Sequence, residues 1–199
     1  MTESRNTSNK SSYKKGKDLY DEGDYEGAEI RLTEAIALDS QNADAYFYRG
    51  NIRLEKKHYS RAIDDFTRVI ELDPQRASAY RRRGLAYWYD DQEDKSLSDF
   101  NRAIELDPEN PFAYEWRGIL YTQGKAYRFY QPLDEALNDF NKAIELDPKR
   151  PLLYELRGGF YREKEQNELA LSDFNKAIEL GAEGETASIN RELILRERS

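Results

Sequence analysis

One spacing recurs through the sequence and constrains the fold more than any other feature. Five glycines are separated by 34, 34, 34 and 40 residues, namely Gly16, Gly50, Gly84, Gly118 and Gly158. Four phenylalanines follow steps of 34, 40 and 34 residues, namely Phe66, Phe100, Phe140 and Phe174. Because independent markers share one period and one defect of six residues, the chain is built from internal repeats.

Each repeat has the periodicity of two helices. In "ADAYFYRGNIRLEKK", Tyr46 and Gly50 share one helix face, and in "SRAIDDFTRVIELDP", Ala62 and Phe66 do the same before Pro74 ends the helix. The glycine is predicted to let the second helix approach the first closely. A helix pair this short must stack on the next pair to bury its apolar face. The predicted fold class is all-α, an α-α superhelix (solenoid) of stacked antiparallel helix pairs.

The repeat resembles a known family signature. The tetratricopeptide repeat has the pattern W-x2-L-G-x2-Y, followed by A-x3-F and by Pro. The third unit resembles it with Tyr for Trp and Arg for Leu, at Tyr80, Arg83, Gly84, Tyr87, Ser96, Phe100 and Pro108. The resemblance implies five repeats, a C-terminal capping helix and a protein-protein interaction module or adaptor.

The repeat frame predicts the organisation of the whole chain. Residues 1–8 are polar and are predicted to be a disordered tail. The five repeats are predicted at 9–42, 43–76, 77–110, 111–150 with a six-residue insertion, and 151–184. In the capping helix at 185–199, one face is predicted to cover the last repeat with Ile189, Leu193 and Ile194. A homodimer contact through this helix is the alternative.

Two charged residues recur together in four of the five repeats. An arginine precedes the glycine and an aspartate precedes the phenylalanine, as in Arg83 and Asp99, whereas the first repeat has Lys15 and Arg31 at these places. We therefore expect an Arg–Asp pair between the two helices of each unit, which fixes register more than it adds stability. An arginine ladder that binds ligand is the alternative.

Composition excludes several classes of function. A net charge of −8 argues against broad binding to nucleic acid or to anionic membrane. The chain has no cysteine, no apolar run long enough to span a bilayer and a polar N-terminus, so a cytoplasmic protein is expected. The single histidine, His58, lies in a turn without partners for catalysis. Neither an enzyme nor a cofactor is expected.

Binding by shape is the function that the repeats favour. The resemblance implies a groove lined by the first helix of each repeat, which holds an extended or helical peptide. Helical spacing predicts a groove wall that is aromatic and basic over the first three repeats, and that carries Glu115, Glu155 and Glu163 in the last two. The predicted ligand is thus a peptide with acidic and bulky apolar residues. The predicted binding residues are Tyr13, Lys17, Phe47, Tyr48, Asn51, Arg81, Arg82, Trp88, Phe112 and Trp116.

Other interpretations of the same residues remain open. Some of the aromatic residues, Phe112 and Trp116 above all, would instead stack between neighbouring repeats. A structural scaffold or self-assembling subunit would use edge and terminal contacts. Single-stranded RNA would use Arg81, Arg82 and Arg83 with Trp88 as a stacking platform, against the acidic charge of the chain.

The six extra residues fall in the turn between the helices of the fourth repeat, at about 125–131. This insertion carries an unusual density of aromatic residues. It is predicted either to rest on the neighbouring turn or to form a second contact with a partner. The residues of this predicted insertion contact are Tyr127, Arg128, Phe129 and Tyr130.

Overall fold

A computed structural model of the protein describes residues 2–125, 133–182 and 186–197. Within these ranges the chain forms eleven α-helices and no β-strand, so the predicted all-α fold class is confirmed. The helices are α1 (Thr2–Asp21), α2 (Tyr25–Leu38), α3 (Ala43–Glu55), α4 (Tyr59–Leu72), α5 (Ala77–Tyr89), α6 (Glu93–Leu106), α7 (Pro111–Gln123), α8 (Leu133–Leu146), α9 (Pro151–Glu163), α10 (Asn167–Glu179) and α11 (Thr186–Glu197).

The chain divides into two compact units, residues 1–106 and 107–199. In unit one, α1 pairs with α2, α3 with α4 and α5 with α6, and each pair also packs on the next. In unit two, α7 pairs with α8, α9 pairs with α10, and α11 packs against both helices of the last pair. Each unit is therefore an α-α solenoid, in which the odd-numbered helix of a pair is called the first helix.

The N-terminus differs from the prediction of a disordered tail at residues 1–8. Helix α1 begins at Thr2 and is 20 residues long. Its polar residues are poor at starting a helix, but they only need to extend one that the repeat already holds. Extension adds one backbone hydrogen bond per residue without a new nucleation step, so α1 continues beyond the first repeat.

The recurring glycine lets the second helix approach the first closely, as predicted, and the residue that packs against it is the recurring phenylalanine. A Cβ atom at Gly50 would lie only 2.8 Å from Phe66 Cε1, and one at Gly118 would lie 2.7 Å from Phe140 Cε1. These phenylalanine rings are fully or almost fully buried. The missing side chain on the first helix thus lets a large ring of the second helix pack against bare backbone.

The predicted Arg–Asp pairs are also confirmed. Arg83 donates from Nε to Asp99 Oδ2 at 2.8 Å and from Nη2 to Asp99 Oδ1 at 2.9 Å, which is a bidentate ion pair. Burial raises the pKa of Asp99 even though Arg83 acts to lower it, so desolvation offsets the attraction. The same pairing occurs at Arg49–Asp65, Arg117–Asp139 and Arg157–Asp173.

The arginine has a third bond that the sequence pattern did not reveal. Arg83 Nη1 donates to Thr67 Oγ1 at 3.1 Å, and Thr67 belongs to the preceding repeat. The Arg83 guanidinium therefore links α6, the second helix of its own repeat, to α4, the second helix of the preceding repeat. The equivalent bonds are Arg49 to Thr33 at 3.2 Å and Arg157 to Asn141 Oδ1 at 2.6 Å.

The face that α11 buries was predicted only in part. Ile194 is fully buried with Ala187 in the core of unit two, but Ile189 is 50% exposed and Leu193 is 37% exposed. Ala187 and Ile194 are seven residues apart and therefore share a helix face, whereas Ile189 and Leu193 lie on the other side of the helix. The expectation that Ile189 and Leu193 cover the last repeat is wrong.

Helix α11 packs after α10 in the position that the first helix of a sixth repeat would occupy. Ile194 falls on the same repeat position as Phe160, 34 residues earlier, and both side chains are buried. Burial raises the pKa of Glu155 on α9, and the backbone of Ala187 at the start of α11 acts against that rise. Arg162 of α9 donates to Asn190 Oδ1 of α11. These contacts hold α11 beside α9 in the manner of the earlier first helices.

Candidate functional site

The predicted binding residues of unit one lie on α1, α3 and α5, which pack side by side. We call the set the first-helix face of unit one. Most of its side chains occupy helical positions other than the one where the glycine meets the paired second helix. It comprises Tyr13, Lys17, Tyr20, Phe47, Tyr48, Asn51, Arg81, Arg82, Leu85 and Trp88.

An aromatic cluster joins α1 to α3, with Tyr48 at its centre. The Tyr48 ring lies 6.4 Å from that of Tyr13 and 5.2 Å from that of Tyr20, in tilted and edge-on geometry. Lys17 Nζ lies 5.7 Å from the Tyr48 ring and pairs with Asp21 at 2.5 Å. The structure thus brings together Tyr13, Lys17, Tyr20 and Tyr48, which helical spacing places on neighbouring first helices.

Phe47 packs within the repeat stack. The guanidinium of Arg76, which precedes α5, lies 4.1 Å from the centre of the Phe47 ring and pairs with Asp44 at 2.7 Å. The Phe47 ring also meets Phe66 at 5.9 Å. Phe47 is therefore held by an arginine of the next repeat and offers only its remaining edge to a ligand.

Asn51 and Arg82 carry polar groups that the fold itself does not use. Asn51 is only 4% exposed, and its Oδ1 is buried without a hydrogen bond from any residue that the structure describes. The guanidinium of Arg82 likewise makes no hydrogen bond or ion pair with the described part of the chain. Burial raises the pKa of Tyr20, and the charge of Arg82 opposes that rise.

The remainder of α5 completes this face. Arg81 and Trp88 are half-buried on α5, and Leu85 is buried between them in the helical sequence. The third arginine of the run, Arg83, is bound to Asp99 and Thr67. The three consecutive arginines therefore do not form one basic strip, because Arg83 belongs to the packing of the repeats.

Unit two places its predicted residues differently. Arg150, which precedes α9, lies 4.3 Å from the centre of the Phe112 ring and donates to Glu115 Oε1 at 3.1 Å. Glu115 is buried and paired with Arg150, so it adds no exposed charge to the wall of this unit, whereas the predicted Glu163 is exposed. Phe112 keeps an exposed edge, and Trp116 is half-buried.

Sequence reasoning missed Arg76 and Arg150, although both occupy the same repeat position. Each one stacks on a phenylalanine and pairs with a carboxylate of the preceding first helix. The carboxylate and the phenylalanine occupy the same two repeat positions in opposite order. The carboxylate comes first in the pair Asp44 and Phe47, and second in the pair Phe112 and Glu115. The spacing of 74 residues, one regular step plus the long one, was the signal that would have identified them.

The remaining sequence predictions concern the insertion, metal binding, membrane spanning and the single histidine. The predicted insertion contact, Tyr127, Arg128, Phe129 and Tyr130, lies outside the described residues. In the described ranges no cluster of acidic and histidine side chains is arranged to hold a metal ion. No helix among the described residues has the length and apolar character needed to cross a membrane. His58 is exposed at the start of α4.

Tyr13 gives the first-helix face of unit one a measurable pH dependence. Burial, together with Asp44 and Tyr48, raises its pKa to about 12 from the ordinary value of 10.0. Since the unfolded chain loses this proton first, deprotonation favours unfolding, and we expect stability to fall as the pH rises from about 10 to about 12. Urea unfolding across that range should show a smaller loss for Tyr13→Phe than for the wild type. Equal losses for the two proteins would contradict the assignment.

The sequence matches family models over most of its length. A model described as a tetratricopeptide repeat matches residues 13–77 and 52–111, and a second model with the same description matches residues 118–150. Comparison with the sequences of curated proteins gave no match.

Solved structures of the same fold are similar to both units. YrrB, described as a TPR protein with an unusual peptide-binding site, is 26% identical, with 91% of this chain and 90% of that chain covered and a TM-score of 0.69. MamA (41-end) from Desulfovibrio magneticus RS-1 is 21% identical, with 87% and 94% covered and a TM-score of 0.76. PilF of Pseudomonas aeruginosa is 15% identical, with 98% and 86% covered and a TM-score of 0.82.

The matches agree with the repeat period, the Gly–Phe seats and the paired helices. The family is one of protein-protein interaction modules. Together, the models cover more than half of the sequence. The chain belongs to the tetratricopeptide repeat family.

Proposed function

We propose that the first-helix face of unit one binds a peptide segment of a partner protein that carries acidic and bulky apolar residues. The protein would then act as a non-enzymatic adaptor. The ligand would lie across α1, α3 and α5, with its apolar side chains against the tyrosine cluster and Trp88. Aromatic side chains give a large contact area with little loss of conformational entropy, which suits such a site.

The observation that carries this proposal is the buried, unused acceptor of Asn51. A buried oxygen without a donor is costly, and a backbone N–H of a bound peptide would supply one. Arg82, which has no ion pair with the described residues, would receive an acidic side chain of the same peptide. The two groups lie on adjacent helices of one face, so a single short segment could reach both.

A display library of random short peptides tests the proposal. We expect the wild type to select peptides with Asp or Glu beside Leu, Phe or Trp. Arg82→Glu should weaken their binding at least about tenfold, which corresponds to about 1.4 kcal/mol. Arg61→Glu on α4 is the matched control, because it makes the same charge change at an exposed position of a second helix. Equal losses for the two variants, or unchanged binding to Arg82→Glu, would contradict the proposal.

The same proteins separate the proposal from its alternatives. Binding to labelled single-stranded RNA that is lost at high salt and in Arg82→Glu would favour a nucleic-acid ligand. Self-association in light scattering, with no peptide selected, would favour a structural scaffold. For the adaptor function, we expect neither result.

A further inference from the structure

Helix α2 exposes an aliphatic side chain at a position where the other second helices carry polar residues. Ile30 is 61% exposed, the largest fraction for any large hydrophobic residue that the structure describes. Its equivalents in the four later repeats are Asp64, Ser98, Asn138 and Ser172. Because single exposed aliphatic residues are common on protein surfaces, exposure alone assigns no role to Ile30.

The residue before Ile30 shows the opposite exchange. Glu29 stands where the later repeats have half-buried aliphatic residues, namely Ile63, Leu97, Leu137 and Leu171. Its carboxylate accepts hydrogen bonds from Arg53 Nε and Lys56 Nζ, both at 3.1 Å. Glu29 therefore contributes to the fold, and the aliphatic residue of the two is the one that faces solvent.

Ile30 lies in the wall of a cavity of about 490 Å³ on α2, beside the residue that follows α3. The α2 residues that line it follow the spacing i, i+3, i+4, i+7, i+8, and so form one stripe along the helix. We call this site the Ile30 cavity, and it is lined by Glu26, Glu29, Ile30, Thr33, Glu34 and Lys56. The exposed isoleucine thus belongs to a concave site with room for a side chain of a partner.

Two carboxylates flank Ile30 on the same stripe. Glu26 and Glu34 stand one helical turn before and after it. Glu34 reverses the charge of the later repeats, which have Arg68, Arg102, Lys142 and Lys176 at its position. Arg31 pairs with Glu34 at 2.9 Å, whereas Glu26 makes no ion pair with the described residues. Glu26 is therefore the carboxylate that a cation from a partner can pair with, within one turn of the exposed Ile30.

We infer that the Ile30 cavity binds an amphipathic helix of a partner protein, with an aliphatic side chain against Ile30 and a lysine or arginine one turn away paired with Glu26. The apolar contact supplies affinity, and the ion pair fixes the direction of the helix. A second copy docked through the same stripe does not fit, because an antiparallel two-fold pairing centred on Ile30 would set Glu26 of one protomer beside Glu34 of the other. The site lies on a second helix, so it is independent of the function proposed for the first-helix face of unit one.

Ile30→Ser separates this role from a purely structural one. Serine is the residue that the third and fifth repeats have at this position. Because Ile30 is mostly exposed, we expect the substitution to change the Tm by no more than about 2 °C. A larger decrease in thermal unfolding would show that Ile30 stabilises the fold, and would overturn the inference.

Binding is tested with helical peptides displayed on phage and selected on the wild-type chain at low ionic strength. We expect one class of selected peptides to carry Leu, Ile or Met with Lys or Arg one helical turn away. Ile30→Ser should weaken the binding of this class at least about tenfold. Glu26→Lys should weaken it at least about threefold, since an exposed ion pair contributes less than an apolar contact. Replacing the basic residue of the peptide by Glu should restore its binding to Glu26→Lys.

Leu169→Ser on α10 is the matched control, since it removes an aliphatic side chain that is 49% exposed on another second helix. Neither this variant nor Arg82→Glu should affect the class, and loss of binding to Arg82→Glu would assign the peptides to the first-helix face of unit one instead. The inference is overturned by that loss, by selection of no such class, or by equal binding to Ile30→Ser and the wild type. A dimer in light scattering that Ile30→Ser abolishes would also overturn it, in favour of a second copy of the chain.

Discussion

Asp99→Ala is expected to lower the free energy of unfolding by about 3 kcal/mol, because it leaves the Arg83 guanidinium half-buried without its bidentate partner. The loss does not measure the strength of the ion pair. Burial raises the pKa of Asp99, so desolvation already offsets most of the attraction in the intact pair. The cost arises from the charge that remains after the partner is removed.

A double substitution tests that explanation. Arg83→Met with Asp99→Leu removes both charges and keeps an apolar volume, so we expect most of the stability to return in urea denaturation followed by circular dichroism. Glu105→Ala, which breaks the exposed pair with Arg102 on the same helix α6, is the control and should produce no measurable change. A double variant as unstable as Asp99→Ala would show that the pair contributes large net stability.

Gly158→Leu is expected to destabilise the protein by about 3 kcal/mol, because the new side chain occupies the space of the Phe174 ring. Even a Cβ atom at this position would lie 2.9 Å from Phe174 Cε1, and that ring is fully buried between α9 and α10. Accommodating leucine would require the ring to leave its seat or the two helices to separate. Both changes would lose packing in the core of unit two.

The adjacent glycine provides a matched control for this prediction. Gly159→Ala adds a side chain to the same helix at the next residue, where the surroundings are open. Thermal unfolding should show a large decrease of Tm for Gly158→Leu and no decrease for Gly159→Ala. If the two variants lost similar stability, helix α9 itself would be intolerant of substitution, and the seat for Phe174 would not be the cause.

The fold was largely predictable because its determinants repeat in phase. Gly84 and Phe100 occur at fixed spacing with Arg83 and Asp99 beside them, so each contact was indicated several times in one sequence. The bond from Arg83 to Thr67 was not predicted, because it links different repeats. The buried face of α11 was also not predicted, because this helix has neither the glycine nor the phenylalanine that identify the buried face of the other helices.

The candidate site was predictable as a face but not in its contacts. Helical spacing placed Tyr13, Lys17 and Tyr48 on neighbouring first helices, and their rings and charge do meet. Spacing alone could not show that Arg150 removes Glu115 from solvent, because this depends on a residue outside the helix. The wall of unit two consequently exposes fewer carboxylates than its sequence indicates.

The third bond of the repeated arginine has a consequence for how local opening spreads. When α4 frays, Arg83 loses its hydrogen bond to Thr67 but keeps its bonds to Asp99 on α6. When α6 detaches, Arg83 loses both bonds to Asp99 and retains only the weaker one to Thr67. Arg83 therefore holds the two helices of its own repeat more firmly than it holds the preceding repeat, so that local opening of α4 leaves the Arg83–Asp99 pair intact.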